Sequence, residues 1–212
     1  MPRTRVKICG ITNAYDAETA IRAGADALGF MMYEESPRFV EPDVAADILQ
    51  RIPPFVTCVG VFVDASRDQV TELCRELPFD MLQFHGNEDE SFCSGFGKPY
   101  FKAIRVSKAL DLEQTIARFP GARAILLDSQ VTGMYGGSGS RFDWRLATGP
   151  FQKPLILAGG LNAANVAEAI DLVKPFAVDV SSGVEKSKGV KDADKVYEFI
   201  AAVKSCDNPA VV

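Results

Sequence analysis

The chain has 212 residues, 47% of them hydrophobic and 24% charged, a composition typical of one globular domain with a sizeable core. Its 28 acidic and 23 basic residues give a formal net charge of −5, and no run of five basic residues occurs. These features argue against a nucleic-acid groove and a polybasic membrane patch. No stretch approaches the roughly 18 apolar residues of a membrane helix, and a strand pattern follows the first residues directly, so we expect a cytoplasmic protein.

The cysteine and histidine content argues against two kinds of stabilising site. The five cysteines are an odd number and form no C-x-x-C pair, so neither a disulfide framework nor a zinc site is indicated. His85 is the single histidine, which excludes a histidine-rich metal site. We therefore expect reduced thiols, no bound metal, and neither a nucleic-acid nor a membrane partner.

Short runs rich in Val, Ile, Leu and Phe alternate with longer stretches of helical spacing, a pattern typical of parallel β-α units. It predicts eight strands, at about 5–9, 26–31, 55–62, 80–84, 99–104, 123–127, 154–158 and 175–180. It also predicts eight helices, at about 14–23, 42–51, 66–76, 88–95, 109–118, 142–147, 162–171 and 192–204. Since no predicted strand resembles a polar sheet edge, we expect a single-domain α/β fold, a closed TIM (β/α)8 barrel over residues 1–206, with a frayed tail at 207–212.

In such a barrel the chemistry lies at the C-terminal ends of the strands, where the βα loops vary over a rigid base. Cys9 ends the first predicted strand, and Asp128 follows directly on the sixth. Glycine-containing turns, Gly159-Gly160 and Ser181-Ser182-Gly183, follow the seventh and eighth. Cys9 and Asp128 are then three strand steps apart around the ring, on facing sides of the mouth, with the two turns between them.

The two turns predict a phosphate site, because backbone amides after these barrel strands often point at an anion. Glycine lets the backbone come close to an oxyanion. The alternative is ordinary turn chemistry, but two such turns at consecutive strand ends favour phosphate binding. A third glycine-rich segment, with Gly137, Ser138 and Gly139, could act as a lid that adds donors to the same site.

Cys9 has two interpretations, a small buried hydrophobic residue or a reactive thiol. Side chains alternate along a strand, so Cys9 and Lys7 point the same way, and a lysine below a thiol favours the thiolate. The same alternation turns Asp179, on the neighbouring eighth strand, into the barrel. We therefore predict that Lys7 and Asp179 are partners, since a buried lysine without a counter-charge is costly.

Three further polar residues lie near predicted strand ends. Asp128 is either a turn cap or, facing a thiol, a general acid. Arg38 is either a solvated loop cation or a fork that binds a carboxylate at two nitrogens. His85, after the fourth strand, either lines the mouth or has a structural hydrogen bond. Arg38, His85 and Asp179 are the candidate substrate-binding residues.

Motifs along almost the whole chain resemble those of the phosphoribosylanthranilate isomerase family of tryptophan biosynthesis. They are Lys7-Ile8-Cys9-Gly10-Ile11-Thr12, Gly24-Ala25-Asp26 with Leu28-Gly29-Phe30, Ser36-Pro37-Arg38, Gly60-Val61-Phe62-Val63, Gln83-Phe84-His85-Gly86, Leu126-Leu127-Asp128, Gly136-Gly137-Ser138-Gly139 with Phe142-Asp143-Trp144, Leu157-Ala158-Gly159-Gly160-Leu161, and Val178-Asp179-Val180-Ser181-Ser182-Gly183-Val184-Glu185 with Gly189-Val190-Lys191-Asp192. Phe84 and Ser138 stand where the family usually has leucine and threonine, and both keep the side-chain type.

The resemblance implies an Amadori rearrangement of N-(5'-phosphoribosyl)anthranilate, a phosphorylated small molecule. Asp128 would protonate the ribose ring oxygen, and Cys9 as thiolate would remove the C2 proton. Arg38 would hold the anthranilate carboxylate, and the glycine-rich turns and loop would hold the phosphate. The resemblance implies no cofactor, because the substrate nitrogen serves as electron sink. The chain is expected to be a monomer or a homodimer.

Three rival interpretations follow from related barrels. A histidine-pathway isomerase generally has an aspartate where this chain has Cys9, and an indole-glycerol-phosphate synthase relies on a catalytic lysine and glutamates. Cys9 argues against both. A phosphate-binding module without catalysis is a third interpretation, against which the presence of both Cys9 and Asp128 speaks.

Overall fold

The computed structural model describes residues 3–107, 109–129 and 142–207. Eight parallel strands close into a barrel whose order around the ring follows the chain. They are β1 (Arg5–Cys9), β2 (Ala27–Met31), β3 (Thr57–Phe62), β4 (Met81–Phe84), β5 (Tyr100–Val106), β6 (Ile125–Ser129), β7 (Leu155–Leu157) and β8 (Ala177–Val180). Since β8 pairs with β1, with Lys7 opposite Asp179, the predicted TIM barrel is confirmed.

Helices cover the outside of the barrel. They are α1 (Ala14–Ala23), α2 (Pro42–Leu49), α3 (Arg67–Glu76), α4 (Glu90–Cys93), α5 (Leu112–Ala117), α6 (Val166–Val173) and α7 (Ala193–Asp207). Capping side chains fix several starts: Asn13 accepts the N–H of Asp16 ahead of α1, and Ser66 with Gln69 forms a capping box at α3. These caps fix where the chain enters α1 and α3.

Four predicted helices differ from the structure. The helix expected at 88–95 is a single turn, Glu90–Cys93, followed by a 3₁₀ turn over Ser94–Phe96, and the helix expected at 109–118 covers only Leu112–Ala117. The helix expected at 142–147 is a short 3₁₀ turn, Trp144–Ala147. The helix expected at 162–171 begins only at Val166, because the side chains of Asn162 and Asn165 bind nearby backbone N–H groups and hold a turn before it. The last helix runs to Asp207, which accepts the N–H of Thr4, and residues 208–212 of the predicted tail lie outside the described residues.

A two-stranded antiparallel hairpin after β8 was not predicted. It comprises β9 (Glu185–Ser187) and β10 (Val190–Lys191), after a 3₁₀ turn over Ser182–Val184. Its strands are too short to give a periodic signal in the sequence. The hairpin brings Glu185 and Lys191 back over the end of β1.

The core has two layers. A large apolar cluster fills the space between strands and helices, and a smaller one fills the barrel interior with side chains such as Val61, Phe101 and Leu126. Above this interior cluster the inward positions become polar, with Lys7, Gln83, Asp128 and Asp179 all buried. Over the described ranges, no helix is both long and apolar enough to cross a membrane.

Candidate active site

Cys9 ends β1 with its side chain toward the barrel interior. Val6 and Ile8 pack in the outer apolar layer, whereas Cys9 belongs to the interior cluster, as the alternation predicted. Lys7 Nζ lies 2.8 Å from Asp179 Oδ1, and both side chains are less than a tenth exposed. The predicted partnership of Lys7 and Asp179 is confirmed.

Space for this arrangement comes from Gly29 on the neighbouring strand β2, which pairs with Cys9. A methyl group at this position would lie 2.8 Å from Cys9 Sγ and 2.9 Å from Lys7 Nζ. Such contacts are too short for a real side chain. The glycine therefore lets the thiol and the ammonium group lie side by side at the end of the barrel.

The protonation preference of Cys9 corrects the sequence-based expectation. Burial raises the pKa of the Cys9 thiol above its usual value, and Lys7 lowers this pKa by less, so the thiol form is favoured in the free protein. Asp179 adds to the effect of burial, because its carboxylate already pairs with Lys7 and itself raises the pKa of Cys9. Lys7 shows the converse balance: burial lowers its pKa, but Asp179 and Cys9 together outweigh this and raise it.

Asp128 lies on the facing side of the mouth, near the end of β6. It is buried, and its Oδ1 accepts the N–H of Ser129 at 2.7 Å. Its Oδ2 lies 3.1 Å from His85 Nε2, and His85 Nδ1 lies 2.8 Å from Gln83 Nε2. His85 thus contacts the candidate acid directly, in a buried chain of hydrogen bonds that reaches from β4 across β5 to β6.

Arg38 lies in the loop after β2 and is buried against the hairpin. Its Nε and Nη2 donate to the two carboxylate oxygens of Glu185, at 2.7 and 2.8 Å. Lys191 Nζ donates to the same carboxylate at 3.0 Å and to the backbone oxygen of Cys9 at 2.6 Å. Two cations share one carboxylate here, which leaves a net positive charge beside the end of β1.

The electrostatics of this cluster follow from burial and pairing. Burial would raise the pKa of Glu185, but its contacts with Arg38 and Lys191 outweigh burial and lower it. For Lys191 burial is the larger effect, so its pKa lies below the usual value despite the contact with Glu185. Glu185 takes only one edge of the Arg38 guanidinium. The opposite edge, formed by Nη1 and the second hydrogen of Nη2, bonds none of the described residues and can meet a ligand carboxylate.

The turns after β7 and β8 complete the rim between Asp128 and Cys9. Gly159 and Gly160 have φ of 82° and 65°, which favour glycine. A methyl group at Gly159 would lie 2.9 Å from Asp128 Oδ1, so this turn adjoins the candidate acid. A methyl group at Gly10, next to Cys9, would lie 3.1 Å from Ser181 Oγ, so the other turn adjoins the thiol.

These turns offer donors for an anion. A methyl group at Gly183 would lie 1.8 Å from the backbone oxygen of Leu161, so only glycine lets the two turns approach each other. Within the ranges that the structure covers, the N–H groups of Gly160, Ser182 and Gly183 meet no protein acceptor. The third predicted segment, with Gly137, Ser138 and Gly139, lies outside the described residues.

The structure thus brings most predicted residues to one end of the barrel: Cys9, Arg38, His85, Asp128, Gly159, Gly160, Asp179, Ser181, Ser182 and Gly183. Roles for Gln83, Glu185 and Lys191 were not predicted from the sequence, although all three lie in the motifs that resemble the family. Gln83 could have been found from its i, i+2 spacing to His85, which puts both side chains on one face of a strand. No group of three or more His, Cys, Asp or Glu residues that could hold a metal ion occurs in the described ranges.

Comparison with known proteins gives a family match over nearly the whole chain. Residues 6–202 match the model of the family described as N-(5'phosphoribosyl)anthranilate (PRA) isomerase. An N-(5'-phosphoribosyl)anthranilate isomerase from Pseudomonas putida (strain ATCC 700007) is 52% identical over 204 residues, covering 96% of this chain and 99% of the relative. A relative of the same name from Dechloromonas aromatica is 50% identical over 205 residues, covering 97% and 98%.

Solved structures agree with this result. The phosphoribosyl anthranilate isomerase of Thermotoga maritima has a TM-score of 0.86 and 40% identity, and the match covers 95% of this chain and 99% of that one. A phosphoribosyl anthranilate isomerase in complex with reduced 1-(o-carboxyphenylamino)-1-deoxyribulose 5-phosphate has a TM-score of 0.83, 40% identity and the same coverage, 95% and 99%.

Proposed function

Because the chain belongs to the N-(5'-phosphoribosyl)anthranilate isomerase family, we propose that it converts N-(5'-phosphoribosyl)anthranilate into 1-(2-carboxyphenylamino)-1-deoxyribulose 5-phosphate in tryptophan biosynthesis. The observation that carries this proposal is one thiol and one carboxyl group at facing strand ends, with unbonded backbone N–H groups on the rim between them. An isomerisation that moves protons on a phosphorylated sugar needs these three elements.

The first step needs an acid. Asp128 protonates the ring oxygen of the ribose, the C1–O bond breaks with its electron pair on that oxygen, and the substrate nitrogen forms a protonated Schiff base. Asp128 is suited to this role because it is buried at the mouth and the hydrogen bond between its Oδ2 and the His85 ring fixes the orientation of its carboxyl group. The substrate nitrogen takes up the electrons, so the reaction proposed here uses no metal or organic cofactor.

The second step needs a base. The Schiff base acidifies the C2 proton, Cys9 as thiolate removes it, and the resulting enolamine tautomerises to the ketone. The free protein favours the thiol, as burial dictates, and Lys7 stabilises the thiolate once it forms. Asp128 gives one proton and Cys9 takes one, so the enzyme holds the same number of protons after both steps.

Binding depends on charges on the rim. The free edge of Arg38 pairs with the anthranilate carboxylate, and Glu185 and Lys191 hold Arg38 in place. The N–H groups of Gly160, Ser182 and Gly183, and the hydroxyls of Ser181 and Ser182, bind the phosphate. As the resemblance implies, Gly137, Ser138 and Gly139 contribute further hydrogen-bond donors to the phosphate. Asp179 pairs with Lys7, which lies beside Cys9, and so acts on the substrate through these two residues.

We also propose a cytoplasmic enzyme that is a monomer or a homodimer. The cysteines in the described residues are free thiols, as expected in a reducing compartment. One T. maritima structure with 38% identity and a TM-score of 0.79 is described as mutually generated monomers of the dimeric enzyme. Sedimentation velocity of the full chain decides between a species near the chain mass of 23.0 kDa and one of twice that mass.

The experiment that tests the activity follows the fluorescence of freshly made phosphoribosylanthranilate with and without the purified protein. We expect rapid loss of the signal with the wild type and with Cys206→Ser, and only the background rate with Cys9→Ser. Cys206 is a matched control because it is a free, partly exposed thiol on α7. No acceleration by the wild type would refute the proposed activity, and an active Cys9→Ser variant would refute the role of the thiol.

A further inference from the structure

Two cations on β5 bind three consecutive backbone oxygens beside the candidate acid. Strand alternation puts Lys102 on the outer face of the sheet and Arg105 on the inner face, since the residues on either side of Lys102 belong to the interior cluster. Lys102 Nζ donates to the backbone oxygens of Phe84 and Gly86, at 3.2 and 2.7 Å. Arg105 Nη2 donates to the oxygen of His85 between them, at 3.0 Å. The end of β4 is thus held from both faces of the sheet.

Lys102 is a buried cation whose charge is balanced by Glu88. Lys102 Nζ lies 3.1 Å from Glu88 Oε2, and neither side chain is more than 5% exposed. The other carboxylate oxygen, Glu88 Oε1, accepts the N–H of Asp64, in the loop after β3, at 2.8 Å. A buried ion pair is weak evidence for stability, because apolar side chains of similar volume often stabilise a protein as well. The reaction steps given above do not use the pair either, so its place calls for another explanation.

The loop after β3 presses on the same segment from the other side. A methyl group at Gly86 would lie 2.6 Å from the backbone nitrogen of Asp64, so the two chains are in contact there. Asp64 has φ of 47°, a conformation that few residues other than glycine adopt and that persists where its surroundings fix it. Both of its carboxylate oxygens accept from Asn87, one from the backbone nitrogen and one from the side chain. Glu88 therefore ties Lys102 to a loop that is itself fixed.

The held segment carries the side chain that contacts the acid. His85 lies between the two residues whose oxygens Lys102 binds, and its Nε2 lies 3.1 Å from Asp128 Oδ2. The ring is joined to the backbone through two rotatable bonds, so a shift of the backbone moves the ring relative to Asp128. Among the described residues, Lys102 is the donor to the Gly86 oxygen. Loss of Lys102 therefore frees the backbone directly after His85.

We propose that Lys102, with Glu88 as its counter-charge, is a positioning residue for the reaction: it holds the backbone around His85 and so keeps Asp128 directed at the ring oxygen of the substrate. This inference rests on the acid role of Asp128 in the proposed function. It adds two buried residues that do not touch the substrate, because Lys102 lies on the outer face of the sheet. The groups proposed to bind the carboxylate and the phosphate lie in other loops, so Lys102 affects turnover and not substrate binding.

Removal of the pair separates positioning from stability. Lys102→Met leaves Glu88 unpaired and should lower the urea midpoint, whereas the double variant Lys102→Met with Glu88→Leu removes both charges and should recover much of this loss. Neither variant can donate to the backbone oxygens that Lys102 bound, so we expect kcat to fall about 10- to 100-fold in both, with KM unchanged. Lys153→Met is the matched control, because Lys153 donates to the backbone oxygens of Pro120 and Ala122 at the other end of the barrel. It should lower the midpoint and keep the wild-type kcat.

A wild-type kcat in the double variant would overturn the proposal, and so would an equal loss of kcat in Lys153→Met. Failure of both Lys102 variants to fold would also overturn it, because the pair would then serve the fold alone.

Crystal structures of the wild type and the variants give a second readout, which does not depend on turnover. The distance from His85 Nε2 to Asp128 Oδ2 is 3.1 Å in this structure. We expect it to exceed about 3.5 Å in the double variant, beyond a hydrogen bond, and to stay unchanged in Lys153→Met. An unchanged distance in the double variant would overturn the proposal even if the enzyme is active. An inactive wild type would instead refute the proposed activity and leave the result on the distance standing.

Discussion

The two sides of the barrel mouth hold their reactive groups by different means. On the side where β8 meets β1, full charges surround Cys9: the Lys7–Asp179 pair lies beside it, and Lys191, paired with Glu185, binds its backbone oxygen. On the side of β4 to β6, a chain of hydrogen bonds through Gln83 and His85 holds Asp128. The same fold thus positions a base with fixed charges and an acid with groups that can exchange a proton.

The difference follows from what each group must do. A thiolate is a full charge in a buried place and needs a cation nearby, and that cation needs its own counter-charge. An acid must keep a proton and then give it, and Asp128 contacts the His85 ring, while Arg105, level with Asp128 on β5, donates to the backbone oxygen of His85. The comparison predicts that loss of a charge harms stability on the Cys9 side, whereas loss of a proton donor harms turnover on the Asp128 side.

The largest expected effect is on the acid side. Asp128→Asn keeps the shape of the side chain but cannot give the proton, so we expect kcat to fall by about 10²–10⁴-fold. Binding of reduced 1-(o-carboxyphenylamino)-1-deoxyribulose 5-phosphate, measured by calorimetry, should change little. Asp171→Asn, exposed on α6, is the control. Activity of Asp128→Asn within about tenfold of the wild type would remove Asp128 from the acid role.

The next largest effect is expected on stability, on the side of the mouth that holds Cys9. We expect Lys7→Met and Asp179→Leu each to lower the free energy of unfolding by about 3–5 kcal/mol, because each leaves a buried charge unpaired. The double variant should be more stable than Asp179→Leu alone. Urea unfolding measures all three.

The exposed pair of Arg22 and Glu18 on α1 is a matched control for this cycle, since both side chains are more than half exposed. Removal of either partner there should cost no more than about 0.5 kcal/mol. Strictly additive losses for Lys7 and Asp179 would show that the pair does not interact, and would remove the difference between the two sides.

A smaller effect is expected for Arg38, the proposed partner of the anthranilate carboxylate. Arg38→Ala should weaken binding of the reduced product analogue by about 10- to 100-fold, as the loss of charge-assisted hydrogen bonds predicts. Its binding of inorganic phosphate should change far less, and Arg51→Ala, exposed after α2, should change neither. Equal losses of affinity for both ligands would show that the substitution disturbs the rim in general and that Arg38 binds only Glu185, not the ligand carboxylate.

The sequence was sufficient for the barrel and for part of the site. Strand alternation put Lys7 and Asp179 on adjacent inward positions, and the structure confirms the contact. The contact of His85 with Asp128 could not be predicted, because it spans β5 and depends on how far each side chain reaches. The pairing of Arg38 with Glu185 depends on a hairpin too short to leave a periodic pattern.

The state of Cys9 was wrongly predicted for a different reason. Lys7 was correctly placed, but the burial of the thiol and the carboxylate of Asp179 both act against the thiolate, and their joint effect exceeds that of Lys7. Strand alternation gives neighbours and directions, whereas a pKa depends on the balance of large opposing effects. The 3₁₀ turn at Trp144–Ala147 is a similar case, since helical spacing over four residues does not distinguish it from an α-helix.

The most direct test of the whole account is alkylation of the free enzyme by iodoacetamide, with peptide mapping of each thiol. The raised pKa of Cys9 predicts slow reaction at neutral pH and a rate that rises with pH through a midpoint above that of an ordinary cysteine, since only the thiolate reacts. We expect loss of activity to follow Cys9 labelling, and saturating reduced product analogue to slow this labelling while Cys206 labels unchanged. Full activity with Cys9 already alkylated would contradict the account.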